Sequence, residues 1–247
     1  MKKIALTLFL AALPAAAAVA QDLPVALAGE PALAYPWGRE IGGLHTSLGR
    51  HASASIALVG RVSFPDDSDV TSDGVTWADL FDPGFGFSLE GDFLVRVVHD
   101  GSVGGYVSVG WDSFSGVRNT DSFGDSAEPD VMNMMTILAG AKSMGWFDPL
   151  FFWEGRIGLG MVHYDTVKAG FVLGGTPFDN QEFFRASNRL AFELGGRIGF
   201  GTEHVTADLG MGFRVLGAPA RGRDVTNLID PDPLTTFMIE LGLRIGF

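Results

Sequence analysis

Cysteine is absent from the 247 residues, so the chain forms no disulfide and has no thiol to carry a lipid anchor. Beyond the first twenty residues, no apolar run reaches the ~18 residues that an ordinary spanning helix needs. Histidine is scarce, five in all, and no Cys/His spacing suggests zinc. No GxxxxGK[ST] loop occurs, and no helix follows the glycine strings "GLGMV" and "GFGTEH", so these are not phosphate cradles. Bases are outnumbered, with 17 Lys and Arg against 29 Asp and Glu and a net charge of −12. Such a chain lacks the basic footprint of nucleic-acid binding. Anionic membrane surfaces would repel it unless divalent cations intervene.

The N-terminus supplies the first positive signal. "MKKIALTLFLAALPAAAAVAQD" joins a basic start (Lys2, Lys3), an apolar stretch from Ile4 to Leu13, and a small-x-small site at Ala18-Val19-Ala20. This is the build of a secretory signal peptide, and it predicts export with residues 1–20 removed. Loss of Lys2 and Lys3 leaves 15 bases to 29 acids, a net of −14. Residues 21–51 are Pro- and Gly-rich and read as an irregular leader before a domain spanning 52–247.

From residue 52 onward, apolar and polar residues alternate in one segment after another. "LTTFMIELGLRIGF" at 234–247 sets Phe237, Ile239, Leu241, Leu243, Ile245 and Phe247 against Glu240, Gly242, Arg244 and Gly246. Period two means a strand with two chemically different faces. Seven further strands follow the same rule at 52–64, 84–98, 102–112, 134–142, 151–161, 189–200 and 205–215. Three connections are tight turns ("HDGS", "GWFDP", "GTEH"), with Gly and Asp suited to unusual backbone angles. The other four, 65–82, 115–130, 165–187 and 218–234, are long and rich in Asp, Gly, Pro and Asn. No helical periodicity appears outside the signal peptide. The prediction is an all-β fold: an eight-stranded antiparallel up-and-down transmembrane barrel with short periplasmic turns and long extracellular loops.

Charge decides which face is wet. The polar faces carry Glu90, Asp92, Asp112, Glu154, Glu193, Asp208 and Glu240 against Arg61, Arg96, Lys142, Arg156, Arg197, Arg214 and Arg244. The face is balanced while the chain as a whole is acidic, as expected of charges that neutralise one another in a confined space. Turned to lipid, each Arg or Lys at the midplane would cost ~2–4 kcal/mol. A closed eight-stranded barrel holds little more than its own side chains, and glycines interleaved with long Arg and Glu suit that limit. Aromatics sort to the strand ends. Trp146, Phe147, Phe151, Trp153, Phe200 and Phe247 fall toward the short turns; Phe64, Phe85, Trp111, Phe114, Phe213 and Phe237 fall toward the long loops. Of these, Trp111, Trp146 and Trp153 are the expected interfacial tryptophans.

The terminal Phe247, with Leu243 and Ile245 at alternate positions before it, resembles the C-terminal signal of bacterial outer-membrane proteins. Residues 52–247 resemble the small eight-stranded barrels of the OmpA transmembrane domain and OmpX type. The resemblance implies a place in the cell outer membrane, contact with outer-membrane lipid and lipopolysaccharide, and reading of Leu243, Ile245 and Phe247 by the barrel-assembly machinery. OmpA itself continues into a periplasmic peptidoglycan-binding domain; this chain stops at the barrel, so that activity is not carried over.

For function, the reading is an integral barrel without catalysis, its lumen closed by an ion-pair network. Its role would be structural, adhesive or receptor-like, toward an extracellular ligand that the sequence does not name. A narrow porin, a lipid A-modifying enzyme and a soluble secreted barrel are the alternatives. The enzyme would use His163 with Asp165 and Ser187, by the logic of base, orienter and nucleophile. The acidic clusters at 65–74, 121–130 and 230–233 offer hard oxygens suited to weak divalent-cation binding. No EF-hand pattern is present, and no resident cofactor or metal is expected.

Overall fold

The computed structural model describes residues 52–247 apart from 72–73, 99–100, 121–123, 148–149, 203, 226–228 and 230. The expected signal peptide and leader lie outside the described residues. Eight long strands form a closed antiparallel barrel. They are β1 (Ala52–Pro65), β2 (Gly84–Val98), β3 (Gly101–Phe114), β6 (Met132–Trp146), β7 (Phe151–Tyr164), β10 (Ser187–Gly201), β11 (Val205–Leu216) and β13 (Leu234–Gly246). Each strand pairs with its neighbour along the barrel, and β1 closes on β13 through a register that sets Arg61 opposite Glu240 and Leu58 opposite Leu243.

A strand's side chains alternate between faces, and the closed register makes every strand turn the same chemistry the same way. Outward come Phe85, Phe87, Leu89, Ile157, Leu159, Leu194, Ile198, Leu209, Met211, Leu241 and Leu243, all exposed. Inward come Ser88, Ser108, Thr136 and the charged residues, all buried except the half-buried Arg96. A water-soluble barrel would sort these residues the other way. Closure leaves no unpaired edge, the condition for crossing a hydrocarbon layer with strands.

Three of the four long connections, 115–130, 165–187 and 218–234, carry strands of their own. They build a second sheet, order β12-β9-β8-β5-β4, from β4 (Asn119–Thr120), β5 (Ser126–Pro129), β8 (Val167–Leu173), β9 (Thr176–Arg185) and β12 (Ala220–Arg221). One helical turn, α1 (Trp77–Leu80), joins them. It forms because Thr76 and Asp79 make a capping box: the Thr76 amide donates to Asp79 Oδ2 at 2.9 Å, and the Asp79 amide donates to Thr76 Oγ1 at 3.3 Å. Beneath the sheet, Trp77, Phe81, Phe171, Phe183, Phe184, Val225 and Ile229 bury themselves against the barrel-mouth residues Phe114, Met132, Met134, Val162, Tyr164 and Leu216. Each such side chain, once buried, contributes about 1.5–3 kcal/mol, enough to hold the connections down as a cap.

Several loop acids fasten this cap. Asp66 Oδ1 accepts from the Thr235 amide at 3.2 Å and from Ser68 Oγ at 2.8 Å. Asp125 Oδ1 accepts from the Gly174 amide at 2.7 Å, and Asp224 Oδ2 accepts from the Glu182 amide at 2.8 Å. The composition that reads as solvated loop is partly a set of backbone clamps.

Candidate functional site

All eight barrel strands place charge in the lumen. Thirteen of the fourteen expected network residues are buried there: six bases (Arg61, Lys142, Arg156, Arg197, Arg214, Arg244) and seven acids (Glu90, Asp92, Asp112, Glu154, Glu193, Asp208, Glu240). The fourteenth, Arg96, is half-buried near the short-turn end of β2.

These residues form one connected chain of ion pairs from the loop side to the turn side. Arg61 meets Asp112 in a fork, with Nε to Oδ1 at 2.5 Å and Nη2 to Oδ2 at 2.7 Å. Arg214 bridges Asp112 (3.2 Å) to Glu193, to which its Nε donates at 3.1 Å. Arg156 Nε lies 2.8 Å from Glu193 Oε1, an ion pair without hydrogen-bond alignment. The Nη1 and Nη2 of Arg156 donate to Glu90 (3.0 Å) and Glu240 (2.5 Å). Arg197 grips the same two acids, with Nη1 to Glu90 at 3.0 Å and Nε to Glu240 at 3.1 Å. Lys142 Nζ sits among Asp92 (2.9 Å), Glu154 (3.3 Å) and Glu90 (3.4 Å), and over the Tyr106 ring at 5.3 Å. Arg244 closes the series on Glu154. Asp208 is the outlier: its closest paired cation is Arg197 Nε at 3.6 Å, and neither of its oxygens has a hydrogen-bond partner among the described residues.

Glycine makes the room. A Cβ at Gly110 would sit 2.5 Å from Arg61 Nη2, and one at Gly210 would sit 2.5 Å from Arg197 Cγ. The long side chains lie flat over residues that have none. Below the charges, Leu94, Met144 and Phe152 form a buried cluster with Trp146 against it. Above them stands the apolar base of the cap.

Two aromatics lie elsewhere than expected. Trp146 packs on Phe152, ring centroids 5.3 Å apart, because it shares the inward parity of Lys142 and Met144. It belongs to the lower apolar cluster and not to the outer girdle. Phe114 shares the parity of Asp112 and is buried in the cap core. Trp111 and Trp153 are exposed on the outside, with Trp111 against Phe87 at 5.8 Å. Leu243, Ile245 and Phe247 also face outward at the turn end.

His163, Asp165 and Ser187 do not converge. His163 Nε2 stands 3.6 Å from Asp165 Oδ1, and its Nδ1 is 2.8 Å from Asn188 Oδ1. Asn188 is the cross-strand partner of His163, while Ser187 pairs with Tyr164 on the other face. Ser187 Oγ accepts from the Ala220 amide at 3.0 Å. Among the described residues, no group of three or more His, Asp or Glu side chains is arranged to hold a metal ion.

The closed register, the greasy exterior and the ionic lumen together define a transmembrane β-barrel of the outer-membrane type. No known protein-family model matches the sequence, and no curated protein does. Structural similarity is found to Ail, the attachment invasion locus protein of Yersinia pestis, in complex with the heparin analogue sucrose octasulfate. Identity is 14% over 80% of this chain and 99% of that one, with a TM-score of 0.41. It is found also to neisserial surface protein A (14% identity, 79% and 97% coverage, TM-score 0.39) and to the outer membrane enzyme PagL (10% identity, 75% and 97% coverage, TM-score 0.41). Likenesses at these scores add nothing to what the strand register already shows.

Proposed function

We propose that this is an integral protein of the outer membrane, without catalytic activity, whose barrel acts as a closed pedestal for its cap. The cap, with its edges and outer face, carries a structural, adhesive or receptor-like role. The observation behind this reading is the filling of the lumen. Thirteen buried charges, satisfied largely by one another, stand between an apolar cluster at the turn end and an apolar cap core at the loop end. Water or solute crossing the barrel would have to part ion pairs whose members, once separated in a low dielectric, lose several kcal/mol each.

Planar-bilayer recording tests the reading. Purified protein inserted at matched density should give conductance no larger than protein-free membranes across physiological voltages. Discrete, reproducible steps that scale with ionic strength would refute the closed lumen and favour a narrow porin. Resistance to carbonate extraction and a heat-dependent gel shift test the membrane assignment separately.

A further inference from the structure

The buried charge of the lumen does not balance. Seven acids and six bases are buried there, while Arg96, the seventh base, is half-buried near the short-turn end of β2. With every group ionised, the buried set carries one negative charge in excess. The surplus can be located. Glu90, Asp92, Asp112, Glu154, Glu193 and Glu240 each accept a hydrogen bond from an Arg or Lys. Asp208 alone of the seven has neither oxygen hydrogen-bonded among the described residues.

The strand register explains this isolation. The cross-strand partners of Asp208 are Gly199 on β10 and Gly242 on β13, and neither has a side chain that could donate. A Cβ at Gly242 would collide with both Asp208 oxygens, so the carboxyl lies across bare backbone. The cations around it are held by other acids. Arg197 of β10 stands 3.6 Å away, and its Nε is given to Glu240 of β13 at 3.1 Å. Arg244 of β13 and Lys142 of β6 favour a negative charge on Asp208, while Glu154 of β7 and Glu90 of β2 oppose it. Arg244 is itself bound to Glu154, and Lys142 sits on Asp92 at 2.9 Å. Bulk water does not reach the group, which is buried. A buried carboxylate without a partner of its own is disfavoured against the neutral acid.

We propose that Asp208 is a reversible proton site: on folding, its carboxylate takes one proton from solvent, which makes the buried set electroneutral, and returns it to solvent as the pH rises. Alkali then restores the surplus charge in a space whose nearest cations are already engaged, so the closed lumen loosens at this point first. The inference rests on the reading of the lumen as closed and adds to it a single titrating group.

The test compares the full mature protein with Asp208→Asn and Glu193→Gln, each refolded into phosphatidylcholine vesicles. At about pH 5.5, above the ordinary range of carboxylates, infrared spectra of wild type and Glu193→Gln should show the C=O stretch of a protonated carboxylic acid. Asp208→Asn should lack that band, and wild type should lose it as the pH is raised. Asp208→Asn should match or exceed the wild-type urea midpoint, since an amide replaces a neutral acid of the same shape. Glu193→Gln should lower it, because it takes a negative charge from Arg214 and Arg156. Linkage fixes the sign of the pH dependence. In the unfolded chain Asp208 is ionised above about pH 4, so folding takes up a proton. The folded-to-unfolded ratio of wild type, relative to Asp208→Asn, should therefore fall with rising pH by up to about tenfold per unit, until Asp208 has ionised in the folded barrel. Parallel pH profiles, an acid band that survives in Asp208→Asn, or an Asp208→Asn loss equal to that of Glu193→Gln would each overturn the proposal. Should Asp208→Asn fail to show the heat-dependent shift of a folded barrel, wild type carrying isotope-labelled aspartate gives the infrared reading alone; a labelled acid band supports the site, and its absence overturns it. Conductance steps in wild type would refute the closed lumen itself. A silent barrel with no acid band would refute only the proton site.

Discussion

Replacing Arg197 by methionine removes one of the two cations shared by Glu90 and Glu240, leaving Arg156 as the other, while keeping most of the side-chain volume. Arg197 donates to Glu90 through both terminal nitrogens and to Glu240 through Nε at 3.1 Å, and it lies 3.6 Å from Asp208. Six buried bases then become five against seven buried acids, none of them more than 8% exposed. Removing one partner of a buried ion pair costs about 3–5 kcal/mol, because the charge left behind is uncompensated. With a urea dependence of about 2 kcal/mol per molar, the unfolding midpoint should fall by roughly 1.5–2.5 M. The assay is urea unfolding of protein refolded into lipid vesicles, followed by tryptophan emission. Glu90→Gln in the Arg197→Met background should recover at least about 1 kcal/mol, since it removes one stranded charge; contacting residues couple on this scale. A single-variant loss under about 1 kcal/mol, or a double variant whose costs simply add, would refute the account of the lumen as a mutually neutralising network.

Leu241→Arg turns a 66%-exposed outward residue into a charge facing acyl chains. It should cost about 2–4 kcal/mol in vesicles by the same urea titration, and much less if that face meets water. Gly210→Val places a side chain against Arg197 and should cost about 1–3 kcal/mol by overpacking. Gly74→Ala, in open space but at a positive φ of 81°, probes backbone strain alone and separates the two effects. Trp77→Ala empties the centre of the cap, where the indole meets Phe81 and Phe184 at 6.1 and 5.4 Å. The cap should lose about 3–5 kcal/mol, seen as faster hydrogen exchange in β8 and β9, while the barrel keeps its heat-dependent gel shift.

The barrel was legible in the sequence because lipid and lumen impose opposite demands on successive residues. The Leu/Gly/Arg alternation of β13 and the Glu/Arg alternation of β7 carry that demand at every position. The same alternation misleads at the strand ends. Trp146 and Phe114 are aromatic residues at girdle height, yet parity turns both inward, and counting from Lys142 or Asp112 would have shown it. The cap was not legible. Its strands β4, β5 and β12 are two to four residues long, and Asp125, Asp130 and Gly174 flank β5 and β8. Phe183 and Phe184 are adjacent and both buried, which breaks period two. Val167, Ala169 and Phe171 do alternate inward, a trace of β8 hidden inside an acidic, glycine-flanked segment. The helical turn α1 is too short for any periodicity, and only the Thr76–Asp79 spacing gives it away.

The hairpin of β8 and β9 ends in Gly174 and Gly175, both at positive φ, and a Cβ built at either meets nothing within 4 Å. A few residues below, Phe171 is buried in the cap. Foreign peptide spliced between the two glycines would thus project from a stalk that is anchored at its root and tied at Gly174 by the hydrogen bond to Asp125. The molecule is accordingly a ready scaffold for surface display, where cargo can change as long as the aromatic root and the Asp125–Gly174 hydrogen bond are left intact.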